Sequence, residues 1–170
     1  WKPLDAGNTA PPRTLASELL WISGLAVADD GSMVVASGAG GRGVCVWELA
    51  TGTERPLPEL RDLGETSCVA LAPDGDQAAV AAAASVTLMD TSTGAATPPF
   101  QPLSDAEEVR CLAFLAGGEI LAVGGRRGTV GLWDLTLGRA RAEVSGHSGP
   151  VTCLAFSPDG KTLATGCRDG

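Results

Sequence analysis

Apolar and small residues in this chain recur at every second position in short runs, the spacing of strands rather than of an amphipathic helix. Four runs have one shape: Gly24-Leu25-Ala26-Val27, Cys68-Val69-Ala70-Leu71, Cys111-Leu112-Ala113-Phe114 and Cys153-Leu154-Ala155-Phe156. Each leads into a turn that ends in Gly, at 31, 75, 118 and 160, so successive copies are 44, 43 and 42 residues apart. Further along, Trp47, Met89 and Trp133 share a register, and Gly52, Gly94 and Gly138 follow each of them at the same distance.

Within one period the pattern predicts four short strands. The first ends at an Asp-Gly or Gly-Gly hairpin turn, and the second covers 32–37, 77–82, 119–123 and 161–165. Gly-rich turns lead to a third strand over 44–49, 86–90 and 129–135, and a Thr-Gly or Leu-Gly turn to a fourth. The fourth strands contain Pro56 and Pro58, then Pro98, Pro99 and Pro102, and Pro cannot donate to a ladder, so these should be outer edge strands. The Ala-rich run 78–84 has helical propensity, but it lies between the Asp74-Gly75 turn and Met89, where the other copies have strand. Strand is therefore predicted there.

One stretch is more specific than the rest. Residues 146–170 read Gly146-His147-Ser148-Gly149-Pro150-Val151 and run on through Ser157-Pro158-Asp159-Gly160 to Cys167-Arg168-Asp169-Gly170, and Trp133-Asp134 ends the third strand of the copy before. A Gly-His before four strands and a Trp-Asp at the end of the third resemble the WD40 repeat family of β-propellers. The match is best at 146–170 and 128–138; the first two copies lack the Gly-His, and Met89-Asp90 stands where Trp-Asp would.

The resemblance implies an all-β fold of four-stranded antiparallel blades. It divides the chain into the end of a preceding blade at 1–16, a blade at 18–61, a degenerate blade at 65–104, a blade at 108–146 and the first half of a further blade at 147–170. Three full blades and two partial ones would be part of a larger or oligomer-closed propeller. It also implies that His147, Thr165 and Asp169 form a hydrogen-bond network with a Trp of the same blade. Trp133 and Trp47 hold that Trp position in other copies. Cys68, Cys111 and Cys153 share one inner-strand position and are expected to be buried thiols acting as small hydrophobes.

Charge and composition narrow the function. The 170 residues carry 20 acidic and 12 basic side chains, a net charge of −8, which disfavours nucleic acid as the partner. The longest apolar run, 78–84, is too short to cross a bilayer, and nothing near Trp1 reads as a signal peptide. Five cysteines without a CxxC or a Cys/His pair at zinc-ligand spacing point to a reducing, cytoplasmic setting and to no metal site.

Catalytic machinery is not apparent, and no cofactor is expected. The loop 38–43 matches GxGxxG but leads into strand residues, not into a helix, so it reads as a turn. His147 beside Ser148, with Asp169, invites a hydrolase reading, yet no GxSxG is present. A hydrolase-like propeller with a central-channel site is the alternative, but the inner strands offer Leu25, Val27, Val69, Leu71, Leu112, Phe114, Leu154 and Phe156 there. The leading expectation is a non-catalytic protein-interaction scaffold, the sensor or scaffold region of a larger signalling protein. Its partners would be other proteins or peptides, with self-association as a way to complete the propeller. Second-to-third-strand loops carry Arg42, Arg126, Arg127 and Arg168, candidates for capturing an acidic or phosphorylated segment.

Overall fold

The structure, a computed structural model, describes residues 14–59 and 62–169. The stretch 1–16 therefore lies almost wholly outside the described residues, as does Arg61. Antiparallel sheets follow one another along the chain. The first contains β1 (Trp21–Val27), β2 (Met33–Ala39), β3 (Val44–Glu48) and β4 (Thr53–Glu54). The second contains β5 (Cys68–Leu71), β6 (Gln77–Ala82) and β7 (Ser85–Asp90). In the third are β8 (Val109–Phe114), β9 (Ile120–Gly125), β10 (Thr129–Asp134) and β11 (Arg139–Ser145), and β12 (Val151–Phe156) pairs with β13 (Leu163–Cys167) in the fourth. Strand order follows chain order in every sheet, and the leading strands β1, β5, β8 and β12 lie side by side. These are blade-like sheets of an all-β fold.

Burial on two faces explains the sequence pattern. Every residue of β2 and of β9 is buried. In β2, Met33 and Val35 face a core shared with the second sheet, whereas Val34 and Ala36 face a core closed by Leu15, Leu19 and Trp47. The Ala run divides the same way: Ala78 and Val80 join the core with the first sheet, and Ala79 and Ala81 join the core with the third. Small side chains let adjacent sheets approach closely, which is why Ala can outrank its helical propensity here. Met89, at the Trp register position, is fully buried between the first two sheets.

Turns are set by acidic residues as much as by glycine. The Asp134 carboxylate accepts from Thr136 N–H (3.1 Å), Leu137 N–H (2.9 Å) and the Thr136 hydroxyl (2.7 Å) and so closes the turn between β10 and β11. Asp90 does the same for Ser92 and Thr93, and the Ser92 hydroxyl, with these backbone N–H groups, holds its carboxyl down at about 2. The second copy lost the Trp of Trp-Asp and kept the residue that makes the turn.

Two expectations are corrected. Prolines do more than mark outer strands. The first sheet's outer strand is only Thr53–Glu54 and ends before Pro56, and in the second sheet it shrinks to isolated pairings of Val86 with Phe100 and of Met89 with Ala96 around Pro98 and Pro99. The Pro-free β11 pairs with β10 along its length. The degenerate sheet is thus three-stranded with a bridged fringe. The second correction concerns the thiols. Cys68 and Cys111 are buried, and burial pushes both up to about 12, but Cys153 is exposed because no described element covers that face of β12.

The Ala run ends in a strained turn. Ala82 pairs with Ser85, leaving Ala83 and Ala84 as the loop, and Ala83 has φ of 51°, where a Cβ is crowded. Replacing Ala83 with Gly is expected to raise stability by about 1 kcal/mol in urea denaturation. An unchanged or lower midpoint would show that the turn is not strained.

Candidate partner-binding cleft

A register irregularity at the head of the leading strands places side chains outside the ladder. Pairing skips Ser23 between β1 and β2, Arg110 between β8 and β9, and Thr152 between β12 and β13. Bulges of this kind bend a strand and re-aim the extra residue. Ser67 holds the position in the second sheet, so the series is Ser23, Ser67, Arg110, Thr152, in the same steps as the turn glycines. The serines bond across to the next sheet: Ser23 Oγ donates to Thr66 O (2.6 Å) and Ser67 Oγ to Val109 O (3.0 Å). In the third sheet Arg110 cannot take that part, and Cys111 Sγ makes the longer contact to Val151 O instead (3.6 Å).

Arg110 is thereby released to the surface. With Arg126, Pro150, Thr152 and Arg168 it lines a cleft of about 510 Å³ between the third and fourth sheets. Arg126 and Arg168 belong to the turns that follow β9 and β13, at the position held by Ala39 and Ala83 in the first two copies. Glu108 bridges two of the cations, accepting from Arg110 Nη1 (2.8 Å) and Arg126 Nη1 (3.0 Å), and these Arg hydrogen bonds hold its carboxyl below the usual range. Arg168 makes no ion pair among the described residues. The arrangement can bind an anion by charge-assisted hydrogen bonds.

Of the four arginines singled out in the sequence, the cleft takes Arg126 and Arg168. Arg42 lies elsewhere: its Nη1 donates to Leu57 O (3.1 Å), and it lines a separate depression with Glu18, Glu54 and Arg55. Arg127 does not line the cleft, and its backbone N–H donates to the Glu107 carboxylate. Arg110 is the residue that sequence reasoning missed. Its signal was an Arg in a column that otherwise holds Ser, Ser and Thr.

Beside the cleft, His147 and Asp169 tie the segment before β12 to the turn after β13. His147 Nε2 is 2.7 Å from Thr165 Oγ1, and His147 Nδ1 is 3.5 Å from Asp169 Oδ1. Asp169 Oδ2 accepts from Ser148 N–H (2.7 Å) and Ser148 Oγ (3.2 Å), and Cys167 Sγ donates to Gly149 O (3.0 Å). His147, Cys167 and Asp169 place ligand-type atoms within 4.8 Å of one another, but each of these side chains is already engaged by the loop or by Thr165. Ser148 Oγ bonds to Asp169 and not to His147, so Ser148, His147 and Asp169 are not arranged as a nucleophile with its base. Neither tryptophan joins these bonds. Trp133 stacks on Phe100 with centroids 4.9 Å apart, and Trp47 Nε1 donates to Ala16 O (3.1 Å).

The loop 38–43 is a hairpin turn between β2 and β3, filled by Thr66, whose Oγ1 accepts from Gly38 N–H (2.7 Å) and lies 2.7 Å from Gly43 O. A Cβ on Gly43 would fall 2.3 Å from Gly64 O, so close backbone packing, not a cofactor, accounts for that glycine.

Comparison with known proteins agrees with this architecture. The family model described as WD domain, G-beta repeat matches residues 101–134 and 138–170. Mouse Coronin-7 is 39% identical over 75 residues, which cover 44% of this chain and 8% of Coronin-7. Protein ROOT INITIATION DEFECTIVE 3 of Arabidopsis thaliana is 29% identical over 145 residues, covering 81% of this chain and 32% of that protein. The chain thus spans a minor part of both curated relatives. The crystallised β-propeller domain of Cps50 (Swd1) from Myceliophteria thermophila superposes with a TM-score of 0.73 at 20% identity, over 87% of this chain and 49% of that one, which shows the fold.

The clasp at Asp169 should be pH-dependent. Its carboxyl is drawn from 3.8 down to about 2, first by the Ser148 N–H and then by Cys167, the Ser148 hydroxyl and His147. A lowered folded-state pKa means that the clasp stabilises fully above 3.8 and loosens as pH falls from there towards about 2. Hydrogen exchange at the Ser148 amide is expected to accelerate across that window, and Asp169→Asn should remove the dependence. Equal pH profiles in both proteins would exclude the clasp.

Proposed function

We propose that the chain, whose segments 101–134 and 138–170 match the WD40 repeat family, is a non-catalytic interaction scaffold whose Arg110–Arg126–Arg168 cleft captures an acidic segment of a partner protein. The observation that carries this reading is the meeting of three guanidinium groups, from two sheets, in one cleft of an otherwise acidic chain. Opposite charge guides encounter and fixes register more than it adds raw affinity, so binding should be salt-sensitive. We read 18–61, 65–104 and 108–146 as blades, 147–170 as the opening half of another and 1–16 as the end of a preceding one. The His147–Thr165–Asp169 network is read as structural support for the cleft.

Five free cysteines suit a reducing, cytoplasmic compartment, and none of the helices among the described residues is long and apolar enough to cross a membrane. A role as the sensor or scaffold region of a signalling protein fits a cleft that presents charge.

A labelled peptide of alternating Glu and Gly is expected to bind at low salt and to be lost on charge reversal at Arg126 and Arg168. Reversal at Arg139 and Arg141 on β11 should change little. Undiminished binding to the Arg126→Glu, Arg168→Glu protein, measured by fluorescence polarisation, would sink the cleft as the capture site.

Self-association is a second reading, favoured by the exposed apolar side chains of Leu20, Trp21, Ile22, Leu25 and Val27 at and just before the leading strand of the first sheet. Sedimentation velocity is expected to show concentration-dependent association that Leu25→Glu with Val27→Glu abolishes. Association that persists in that variant would place the contact elsewhere.

A further inference from the structure

Resting on the cleft's role in partner capture, we infer that its ligand is a phosphorylated side chain of a partner protein rather than a plain acidic residue. The first ground is that a carboxylate is already present. Glu108 sits between Arg110 and Arg126 and takes one terminal nitrogen from each. An incoming Asp or Glu would compete with Glu108 for the same bonds and gain little by displacing it. The second ground is charge. Three guanidinium groups line the cleft, and Glu108 is the one carboxylate with a described ion pair to any of them, leaving Arg168 without one. A phosphomonoester carries about −1.5 to −2 at neutral pH, so it engages more of that positive charge than a single carboxylate does.

Geometry adds a third ground. The cations come from three positions, the bulge of β8 and the turns after β9 and β13, so they approach from two sheets. A tetrahedral group with three acceptor oxygens can be met from several sides at once; a planar carboxylate meets one fork well. Both Arg columns hold only small residues in the first two sheets, Ser23 with Ala39 and Ser67 with Ala83. The fold therefore does not require arginine there.

Nucleic acid would also present phosphates, but among the described residues no aromatic side chain lines the cleft for a base to stack on, and the chain is acidic overall. A phosphorylated protein segment is the class that fits.

The test uses three fluorescent peptides of one Gly-Ser sequence with phosphoserine, Glu or Ser at the centre, titrated into the protein. Phosphoserine is expected to bind at least about tenfold tighter than Glu. Arg110→Ser and Arg126→Ala, which restore the residues of the other sheets, should each remove most of that preference at an unchanged melting temperature. Arg168→Lys keeps the charge but loses the fork and should remove most of it too. Equal affinity for phosphoserine and Glu, both lost in the variants, would overturn the phosphate assignment and leave acidic capture standing. No binding by either peptide would overturn both. Inorganic phosphate or a short single-stranded oligonucleotide binding as tightly as the phosphopeptide, through the same arginines, would overturn the assignment to a phosphorylated protein.

Discussion

The packing of the first three sheets follows from their second strands being buried on both faces. A strand packed on one side can alternate apolar with polar residues; β2 cannot, because successive residues enter different cores, and β9, buried along its whole length, cannot either. That demand selects small and β-branched residues at consecutive positions, fixes the register and makes a one-residue slip intolerable. It also explains why Ala81 and Val80, neighbours in sequence, pack against opposite partner sheets. Stability then accumulates sheet by sheet through nearest-neighbour contacts, as repeat architectures require.

Such a scaffold leaves few positions free to vary, and those lie where strands begin and turns end. The position at the head of each leading strand, a bulge in the first, third and fourth sheets, is one. In the first two sheets it serves cohesion, with Ser23 and Ser67 each donating to a carbonyl of the next sheet. In the third it carries Arg110, and Cys111 takes over the contact to Val151 at longer range. A weaker, longer thiol hydrogen bond at one blade boundary accompanies a charged group delivered to the surface beside that same boundary. Cohesion and recognition compete for one structural position.

Period and strand order were legible in the sequence because two-sided burial writes itself into every copy. Even the Ala run was legible once register was set against propensity. Outer strands were less so: the prolines announced an edge, but the extent to which Pro56, Pro98 and Pro99 shorten pairing depends on which N–H groups the ladder needs. The site was half legible. Arg126 and Arg168 stood out as turn residues, but a turn's charge does not reveal its neighbours, and Arg42 proved to be engaged in another depression. Arg110 lay inside a strand pattern, where a bulge, invisible to alternation alone, decides whether the side chain faces a core or a cleft. Cys153 differs from Cys68 and Cys111 for a related reason, since its exposure depends on what packs over β12 and not on its own residue type.

The His147 clasp bears on the cleft through Arg168. That residue sits between Cys167, whose thiol donates to Gly149 O, and Asp169, whose carboxylate holds Ser148. Both chain neighbours are tethered to the segment that also supplies Pro150 and Thr152 to the cleft wall. An arginine side chain is rotamer-rich, and ordering it on binding opposes affinity. Anchoring the backbone on either side removes part of that cost in advance and sets the distance from Arg168 to the opposite wall, where Glu108 in turn orients Arg110 and Arg126. The sheet boundary that gathers three arginines thus has both walls braced by carboxylates, Glu108 on one side and Asp169 on the other.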